Sequence, residues 1–379
     1  MEKIIYFDNS STTKPCETAI KYLNDALCKN WGNPSSLHSL GIQAEEQLLL
    51  ACQSVSDIIC CSPEEIYFTS GGTESNNLAI RGAVSALKKR GNRIVTSKIE
   101  HPSVLEVMKC LENDGFEVIY LSPDCNGVVS AEDISRAVTK NTILVSLMLV
   151  NNETGAIQPI KAAADAIKNV GSPALLHCDA VQAFGKMPID VNSLGIDLLS
   201  ASAHKIHGPK GVGFLYKRKQ KNIHPLLFGG GQQKGLRPGT ENIPLICAFR
   251  GAVEELGNIN SSLAFVSELF RYASQKITET FPLSDINSTE CGLPYVLNFS
   301  LNTHRSETVL HYLDSFGIYI SSGSACAKGQ KSHVMTAMGF DNKRIDSALR
   351  ISFNRFNTKE EIDKFCLVLK GACETLRKA

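Results

Sequence analysis

The sequence predicts an α/β protein with a mostly parallel seven-stranded sheet, followed by a smaller α+β unit. Apolar runs of strand length alternate with helical periods, and several of these runs are continuously apolar, as in strands buried on both faces. Candidate strands cover residues 66–69, 93–97, 117–121, 142–150, 174–178, 197–202 and 212–216. Helical patterns such as 73–89 and 159–169 lie between them, which indicates β-α alternation.

The second part of the chain has a different order of elements. At 379 residues the chain is long enough for two domains. Helical patterns occupy residues 243–281, and three short apolar runs then surround a helix. The expected strands are 295–301, 318–321 and 349–353, and the expected helices are 307–316 and 359–376. This mixture is typical of an α+β domain.

Composition excludes several classes of protein. The 39 basic and 38 acidic side chains nearly cancel, so the chain lacks the positive charge expected of a protein that binds nucleic acid directly or an anionic membrane. No segment has the length and composition of a signal peptide or a transmembrane helix. We therefore expect a soluble cytoplasmic enzyme.

The thirteen cysteines do not predict a disulfide framework or a zinc site, because their number is odd and no pair has C-x-x-C spacing. Several lie in helical apolar patterns and are expected to be small core residues, namely Cys52, Cys60, Cys110, Cys247 and Cys366. Cys326 differs, because small and polar residues surround it and two lysines follow within five positions. Such surroundings favour an exposed, reactive thiolate.

Two polar residues follow neighbouring apolar runs and point to one chemistry. Asp179 closes the run 174–178, and Lys205 follows the run 197–202. A pyridoxal phosphate (PLP) enzyme needs a lysine amine for its Schiff base and a carboxylate that keeps the pyridine nitrogen protonated. Either residue alone would be read as a solvated loop lysine or a helix cap. Together they predict a PLP site.

A glycine-rich segment supplies the phosphate contact that such a site requires. Residues 70–77 read Ser-Gly-Gly-Thr-Glu-Ser-Asn-Asn, after a short apolar run and at the start of a helix. Glycines let the backbone approach an anion, and a helix start offers free N–H groups. Ligands of parallel sheets bind beyond the carboxyl ends of the strands, where Asn152, Asp179 and Lys205 all fall.

These segments, together with further motifs, resemble the cysteine desulfurases of the nitrogen-fixation and iron-sulfur-assembly type. The further motifs are Glu-His at 100–101, Asn-Asn-Glu-Thr-Gly at 151–155, Arg-Pro-Gly-Thr at 237–240, Ser-Ser-Gly-Ser-Ala-Cys at 321–326 and Leu-Arg-Ile-Ser-Phe at 349–353. The resemblance implies the PLP-dependent aminotransferase fold type I, with a large domain over 13–260. It also implies a small domain formed by 1–12 and 261–379, and a homodimer in which two subunits share each active site.

The resemblance implies a role for each matching residue. Lys205, Cys326 and His101 are expected to be catalytic. Cofactor contacts are expected from Gly72, Thr73, His101, Asn152, Asp179, Gln182, Ser202, His204 and Lys205, with Thr240 donated by the other subunit. Arg350 is expected to clamp the substrate carboxylate with help from Asn33 and Asn152, although its position in a strand also fits a sheet-edge ion pair.

The implied reaction removes sulfur from L-cysteine, gives L-alanine and leaves a persulfide on Cys326. The sulfur then passes to an acceptor protein, either an iron-sulfur scaffold or a tRNA thiolation enzyme. Two features depart from the best-known members: the segment after Cys326 is about two residues shorter, and His207 stands where a tyrosine is common. The first leaves the acceptor open.

Three alternatives remain open at the level of sequence. The chain fits a selenocysteine lyase or another PLP-dependent aminotransferase or lyase in which Cys326 is incidental, and it fits less well a catalytically silent scaffold. Spacing predicts no metal site of its own. The resemblance leaves open whether Cys326 ligates a transient iron-sulfur cluster together with a partner.

Overall fold

The computed structural model describes residues 4–322 and 331–378. Its strands are β1 (Ile5–Tyr6), β2 (Ile66–Thr69), β3 (Arg93–Ser97), β4 (Glu117–Leu121), β5 (Thr142–Met148), β6 (Leu175–Asp179), β7 (Leu198–Ser202), β8 (Gly213–Lys217), β9 (Asp285–Ile286), β10 (Val296–Ser300), β11 (Ile318–Tyr319) and β12 (Ala348–Ser352). Its α-helices are α1 (Glu17–Lys29), α2 (Ser39–Ile59), α3 (Gly72–Leu87), α4 (Pro102–Asn113), α5 (Ala131–Ala137), α6 (Ile160–Val170), α7 (Ile243–Glu254), α8 (Ile259–Thr280), α9 (Ser306–Asp314), α10 (His333–Ala337), α11 (Asn342–Asp346) and α12 (Lys359–Thr375).

The central sheet has seven strands in the order β2-β8-β7-β6-β5-β3-β4. β8 is antiparallel to both of its neighbours, and the remaining neighbours are parallel. β5, β6 and β7 are buried along their whole length, which explains their continuous apolar sequences. The predicted α/β class and the mostly parallel seven-stranded sheet are confirmed.

β5 ends two residues before the limit that its apolar pattern predicts. The strand stops at Met148. Beyond it, the N–H of Leu149 donates to the carbonyl of Asp179, and the N–H of Gln158 donates back to Leu149. Residues 149–158 therefore form a turn at the end of the sheet, and this turn brings Asn152 close to the end of β6.

A second, three-stranded antiparallel sheet has the order β12-β10-β9, and β1 pairs with β11 in parallel. The chain after β1 contacts β12, because Asn9 Nδ2 donates to the carbonyl of Ser352 at 2.8 Å. The amino-terminal residues thus pack against strands near the end of the chain. The domain limits given above stay a prediction.

Two cysteines do not lie where their helical patterns suggest. Cys60 is exposed and ends α2 in a left-handed conformation with φ of 57°, and Cys110 is exposed on α4. Cys52, Cys247 and Cys366 are buried as expected. The prediction for Cys60 and Cys110 was wrong because helical spacing alone does not tell which face of a helix is covered. Over the described ranges, no helix has the length and apolar character needed to cross a membrane.

Candidate active site

Lys205 lies at the end of a short helical turn that follows the buried strand β7. Its Nζ donates to the carbonyl oxygens of Ser10 at 2.5 Å and Ser11 at 2.8 Å. Because the apolar strand fixes the backbone on one side, the amine is carried to the carboxyl edge of the sheet. The amino-terminal segment therefore positions the lysine from the opposite side.

Asp179 is the last residue of β6 and is almost fully buried. Its Oδ2 accepts a hydrogen bond from Asn76 Nδ2 at 2.7 Å, and its Oδ1 accepts one from the N–H of Val181 at 3.0 Å. The Oδ1 atom of Asn76 is buried and has no hydrogen-bond partner among the described residues. These acceptor atoms fit a ligand that presents an N–H group at this point.

The glycine-rich segment forms the predicted tight approach at the start of α3. Gly71 precedes the helix with φ of 150°, a value that side chains disfavour. A Cβ atom on Gly72 would lie 2.7 Å from Val181 Cγ2, so a side chain there would displace its neighbour. The free N–H groups at the start of α3 therefore line a narrow cradle suited to a phosphate.

His101 caps α4, and its Nδ1 accepts a hydrogen bond from the N–H of Ser103 at 3.1 Å. The proton of the neutral ring therefore lies on Nε2. Burial lowers the pKa of His101 below its ordinary value; the negative charge of Asp179 opposes this effect, and Lys205 and His333 add to it. His101 is thus a neutral imidazole at physiological pH, with one N–H for a ligand or a proton transfer.

The neighbours of Lys205 are also neutral donors and acceptors. Burial, together with the positive charges of Lys205, Lys210 and Lys186, lowers the pKa of His204 to about 4. Gln182 donates through Nε2 to the carbonyl of Ser10 at 2.9 Å, so the same carbonyl oxygen contacts Gln182 and Lys205. The amine and the amide therefore share one fixed backbone acceptor.

Arg350 lies on β12 and is almost fully buried. Its Nη2 pairs with Asp8 Oδ1 at 2.9 Å and donates to Ser11 Oγ at 2.7 Å, and its Nη1 donates to the carbonyl of Asn152 at 2.8 Å. These contacts are compatible with both interpretations of its sequence position, a sheet-edge ion pair and a residue that binds the substrate carboxylate. Arg350 forms an ion pair with Asp8, and it reaches the candidate site through Ser11 and Asn152.

A cavity of about 250 Å³ gathers most of the predicted residues. Nine of the ten expected cofactor contacts line it, namely Gly72, Thr73, His101, Asn152, Asp179, Gln182, Ser202, His204 and Lys205. Thr240 is exposed away from this cavity, and Asn33 is exposed in the loop between α1 and α2, where it caps the N–H of Ser35. Cys326 lies outside the described residues.

Three further polar residues line the cavity without having been assigned a role from sequence: Ser11, Asn76 and Ser103. Asn76 Nδ2 joins Asp179 Oδ2 to Ser103 Oγ, which in turn contacts His101 Nδ1 at 2.8 Å. Helical spacing offered a signal for Asn76, because it lies four residues after Gly72 and so on the same face of α3. In the part of the chain that the structure describes, no cluster of His, Cys, Asp or Glu side chains is arranged to hold a metal ion.

Comparison with known proteins agrees with this architecture. Residues 5–365 match the aminotransferase class-V family. "Putative cysteine desulfurase IscS 1" of Bacillus subtilis (strain 168) is 42% identical over 369 residues, which cover 96% of each chain. A solved "NifS-like protein" superposes with a TM-score of 0.93 at 36% identity, and it covers 99% of this chain and 100% of its own.

A second solved structure, described as "SspA in complex with cysteine", has a TM-score of 0.83 at 33% identity. It covers 93% of this chain and 100% of its own length. The match to the family spans nearly the whole sequence, and the similarity to the NifS-like fold extends over both sheets. The chain therefore belongs to the aminotransferase class-V family and has its PLP-dependent aminotransferase fold.

Proposed function

We propose that this protein is a PLP-dependent cysteine desulfurase that converts L-cysteine to L-alanine and forms a persulfide on Cys326. The observation that carries the proposal is the placement of Lys205 and Asp179 at the ends of neighbouring strands, on one cavity that also contains the glycine-rich start of α3. The cysteine desulfurases among its relatives and the cysteine complex of SspA support the choice of substrate.

The residues present fit PLP. Gly72 and Thr73 at the start of α3, with Ser202 and His204, are suited to its phosphate, and Asp179 is suited to its ring nitrogen. Bound at Lys205, the cofactor supplies an electron sink for the carbon atoms of the substrate. Thr240 of a second subunit would complete the phosphate contacts in a homodimer.

The chain's own groups handle the substrate and its protons. Arg350, together with Asn152, binds the substrate carboxylate, with Asn33 in support. The Lys205 amine moves the proton at the substrate α-carbon, and neutral His101 holds a proton on Nε2 within the same cavity. Asp179 is almost fully buried at this edge of the sheet, which limits the contact of its carboxylate with bulk water.

The sulfur transfer step balances without an external oxidant. The Cys326 thiolate attacks the sulfur of the substrate, an S–S bond forms and the substrate's C–S bond breaks. The electron pair of that bond stays on the carbon, which takes a proton, so the products are L-alanine and the Cys326 persulfide. The persulfide then passes its sulfur to an acceptor protein, an iron-sulfur scaffold or a tRNA thiolation enzyme, in the cytoplasm.

The test is to compare Cys326→Ser with the wild type in the presence of L-cysteine. The variant should bind PLP and L-cysteine but form no persulfide and release no sulfide, because a serine hydroxyl has too high a pKa to act as the nucleophile. Mass analysis of the wild type after a short exposure to L-cysteine should place the extra sulfur on the peptide that contains Cys326.

Cys125→Ser is a control, because Cys125 is an exposed cysteine that does not line the candidate cavity. It should retain normal persulfide formation. A normal rate of sulfide release by Cys326→Ser, or alanine formed without stoichiometric persulfide, would favour another aminotransferase or lyase chemistry and overturn the proposal. Comparison of L-cysteine with L-selenocysteine separates a desulfurase from a selenocysteine lyase.

A further inference from the structure

Lys186 is a buried lysine next to the candidate site that no step above uses. Only 6% of it is exposed. Its Nζ donates to Gln182 Oε1 at 3.2 Å and stands 5.8 Å from the centre of the Tyr295 ring. It also lines a small cavity of about 30 Å³ that extends to Lys205. Lysine is seldom buried without a specific partner, so this placement calls for an explanation.

The contacts of Lys186 lead directly to the catalytic lysine. Gln182 accepts a hydrogen bond from Lys186 through Oε1 and donates one through Nε2 to the carbonyl of Ser10 at 2.9 Å. That carbonyl also accepts the hydrogen bond from Lys205 Nζ at 2.5 Å. A continuous chain of hydrogen bonds therefore joins Lys186, Gln182, Ser10 and Lys205.

The hydrogen-bonding chemistry of these partners fixes the orientation of the Gln182 side-chain amide. A glutamine side chain has a donor end and an acceptor end that are nearly equal in shape, so its surroundings decide which way it faces. A protonated lysine only donates, and a backbone carbonyl only accepts. With Lys186 on one side and Ser10 on the other, Gln182 is held with Oε1 toward Lys186, and one N–H of Nε2 remains for a ligand of the cavity that Gln182 lines.

We infer that Lys186 is a positioning residue that fixes the Gln182 amide with its NH₂ group toward the cofactor, so that Gln182 donates to the phenolic oxygen of PLP. This inference rests on the proposed function. Burial, together with the positive charges of Lys205 and Arg350, lowers the pKa of Lys186 to about 7. An anionic phenolic oxygen bound by Gln182 would favour the protonated, donor-only form of Lys186, so cofactor binding and the amide orientation would support each other.

The test uses PLP itself, titrated into the apoprotein while the absorption spectrum is recorded. Lys186→Met removes the donor but keeps an unbranched chain of similar length. It should weaken PLP binding about fivefold to tenfold, as expected for one buried hydrogen bond, and shift the visible absorption maximum of bound PLP. Lys186→Arg, which keeps donors only, should restore the wild-type spectrum and most of the affinity.

Two further variants distinguish action through Gln182 from a general loss of packing. Gln182→Leu alone should produce a similar loss of affinity, and Lys186→Met combined with Gln182→Leu should be no weaker than Gln182→Leu, because both changes remove the same hydrogen bond to PLP. If Lys186→Met does not fold, Lys186→Gln replaces it. An amide at position 186 both donates and accepts, so it no longer selects the orientation and should give the same loss.

Lys217→Met is the matched control. Lys217 is also partly buried, its Nζ stands 5.6 Å from the centre of the Tyr67 ring, and it donates to the carbonyl of Lys221, away from the cavity. This variant should leave the PLP spectrum and affinity unchanged. A wild-type spectrum and affinity in Lys186→Met, or additive losses in the double variant, would overturn the inference alone, whereas a wild type that fails to bind PLP would overturn the proposed function.

Discussion

The candidate cavity has two walls that are built differently. The first, which we call the sheet wall, consists of residues 179–182 and 202–205 together with the start of α3. Residues 179–182 begin at the last residue of β6, and residues 202–205 begin at the last residue of β7. The other, the amino-terminal wall, consists of residues 8–13. The sheet wall presents side chains that contact the cavity directly. The amino-terminal wall acts mainly through backbone carbonyls, which hold Lys205 and Gln182, and through Asp8, which pairs with Arg350.

The two walls also differ in what holds them. Two fully buried parallel strands carry the sheet wall. The amino-terminal wall follows a strand of only two residues and is tied to β12 by hydrogen bonds such as that from Asn9 to Ser352. Strand pairing this short opens at lower free energy than the pairing of a central strand. Asp179 of the sheet wall is suited to the cofactor ring, whereas Asp8 of the amino-terminal wall pairs with Arg350, the residue expected to bind the substrate carboxylate. We therefore expect changes in the sheet wall to affect the cofactor and changes in the amino-terminal wall to affect substrate binding.

The largest effect is expected from Lys205, which both walls position. Lys205→Ala should lower kcat at least about a thousandfold, because it removes both the attachment of the cofactor and the amine that moves the α-proton. The variant should keep its fold, since the amine contacts backbone carbonyls and does not fill the core. The measurements are turnover of L-cysteine and borohydride reduction followed by peptide mass analysis.

The control is Lys210→Ala, at an exposed lysine of the same loop, which should retain turnover and the reduced cofactor adduct. An adduct found mainly on Lys210 or Lys98 of the wild type would contradict the assignment of Lys205.

The sheet wall was predicted from sequence because its chemistry is local. An apolar run that ends in Asp179, and another that leads to Lys205, are visible along the chain, and parallel pairing brings the two ends together. The amino-terminal wall was not predicted in this role. Ser10 and Ser11 act through carbonyl oxygens that every residue has, and they contact Lys205 across 195 and 194 positions of sequence.

The contacts of other residues of the site could not be predicted from sequence, for related reasons. Asn76 and Lys186 act through hydrogen bonds to Asp179 and Gln182. Helical spacing places Asn76 on the same face of α3 as Gly72, but it does not show which residue the side chain of Asn76 or of Lys186 contacts. Thr240, expected to act from a second subunit, and Asn33, expected to help Arg350, are exposed and do not line the cavity of their own chain, so both roles stay predictions. For Cys326 the sequence pattern alone supports the role, since it lies outside the described residues.

The second prediction tests the sheet wall. Asp179→Ala should weaken PLP binding about tenfold to a hundredfold, the range for a hydrogen bond to a charged group, and should leave the Asn76 amide without its partner. Titration of the apoprotein with PLP measures the effect. Asp165→Asn, which alters an exposed ion pair on α6, should leave the affinity unchanged. Normal PLP affinity in Asp179→Ala would mean that the carboxylate does not contact the ring nitrogen.

The third prediction tests Arg350, which pairs with Asp8 of the amino-terminal wall. Arg350→Lys should raise KM for L-cysteine about tenfold while the affinity for PLP stays close to that of the wild type, because an ammonium cannot make the two parallel hydrogen bonds of a guanidinium. Steady-state kinetics and PLP titration together separate the two effects. If PLP affinity falls as much as substrate affinity, the expectation that the amino-terminal wall affects substrate binding and not the cofactor is wrong.

The smallest effect concerns the stability of the central sheet rather than the chemistry of the site. Glu100 is fully buried beside His101, and its Oε1 accepts hydrogen bonds from Ser97 Oγ and from the N–H of Met148, while its Oε2 has no hydrogen-bond partner among the described residues. Burial raises the pKa of Glu100 from 4.5 to about 8, although the hydrogen bonds from Ser97 and Met148 oppose this. The folded protein therefore binds a proton at Glu100 over a pH range in which the unfolded chain does not.

A raised pKa in the folded state means that the stability contributed by protonated Glu100 is fully present below pH 4.5 and is lost as the pH rises toward 8. Glu100→Gln keeps the acceptor oxygen for Ser97 and Met148 and does not titrate. Its free energy of unfolding relative to the wild type should therefore increase with pH, by at least about 1.4 kcal/mol between pH 5 and pH 8, which corresponds to one unit of pKa difference. Urea unfolding at the two pH values measures this change, and Glu46→Gln on an exposed part of α2 should show none. If the free energies of unfolding of Glu100→Gln and the wild type change in parallel with pH, Glu100 is charged in the folded protein. A buried carboxylate would then need a cation beside it.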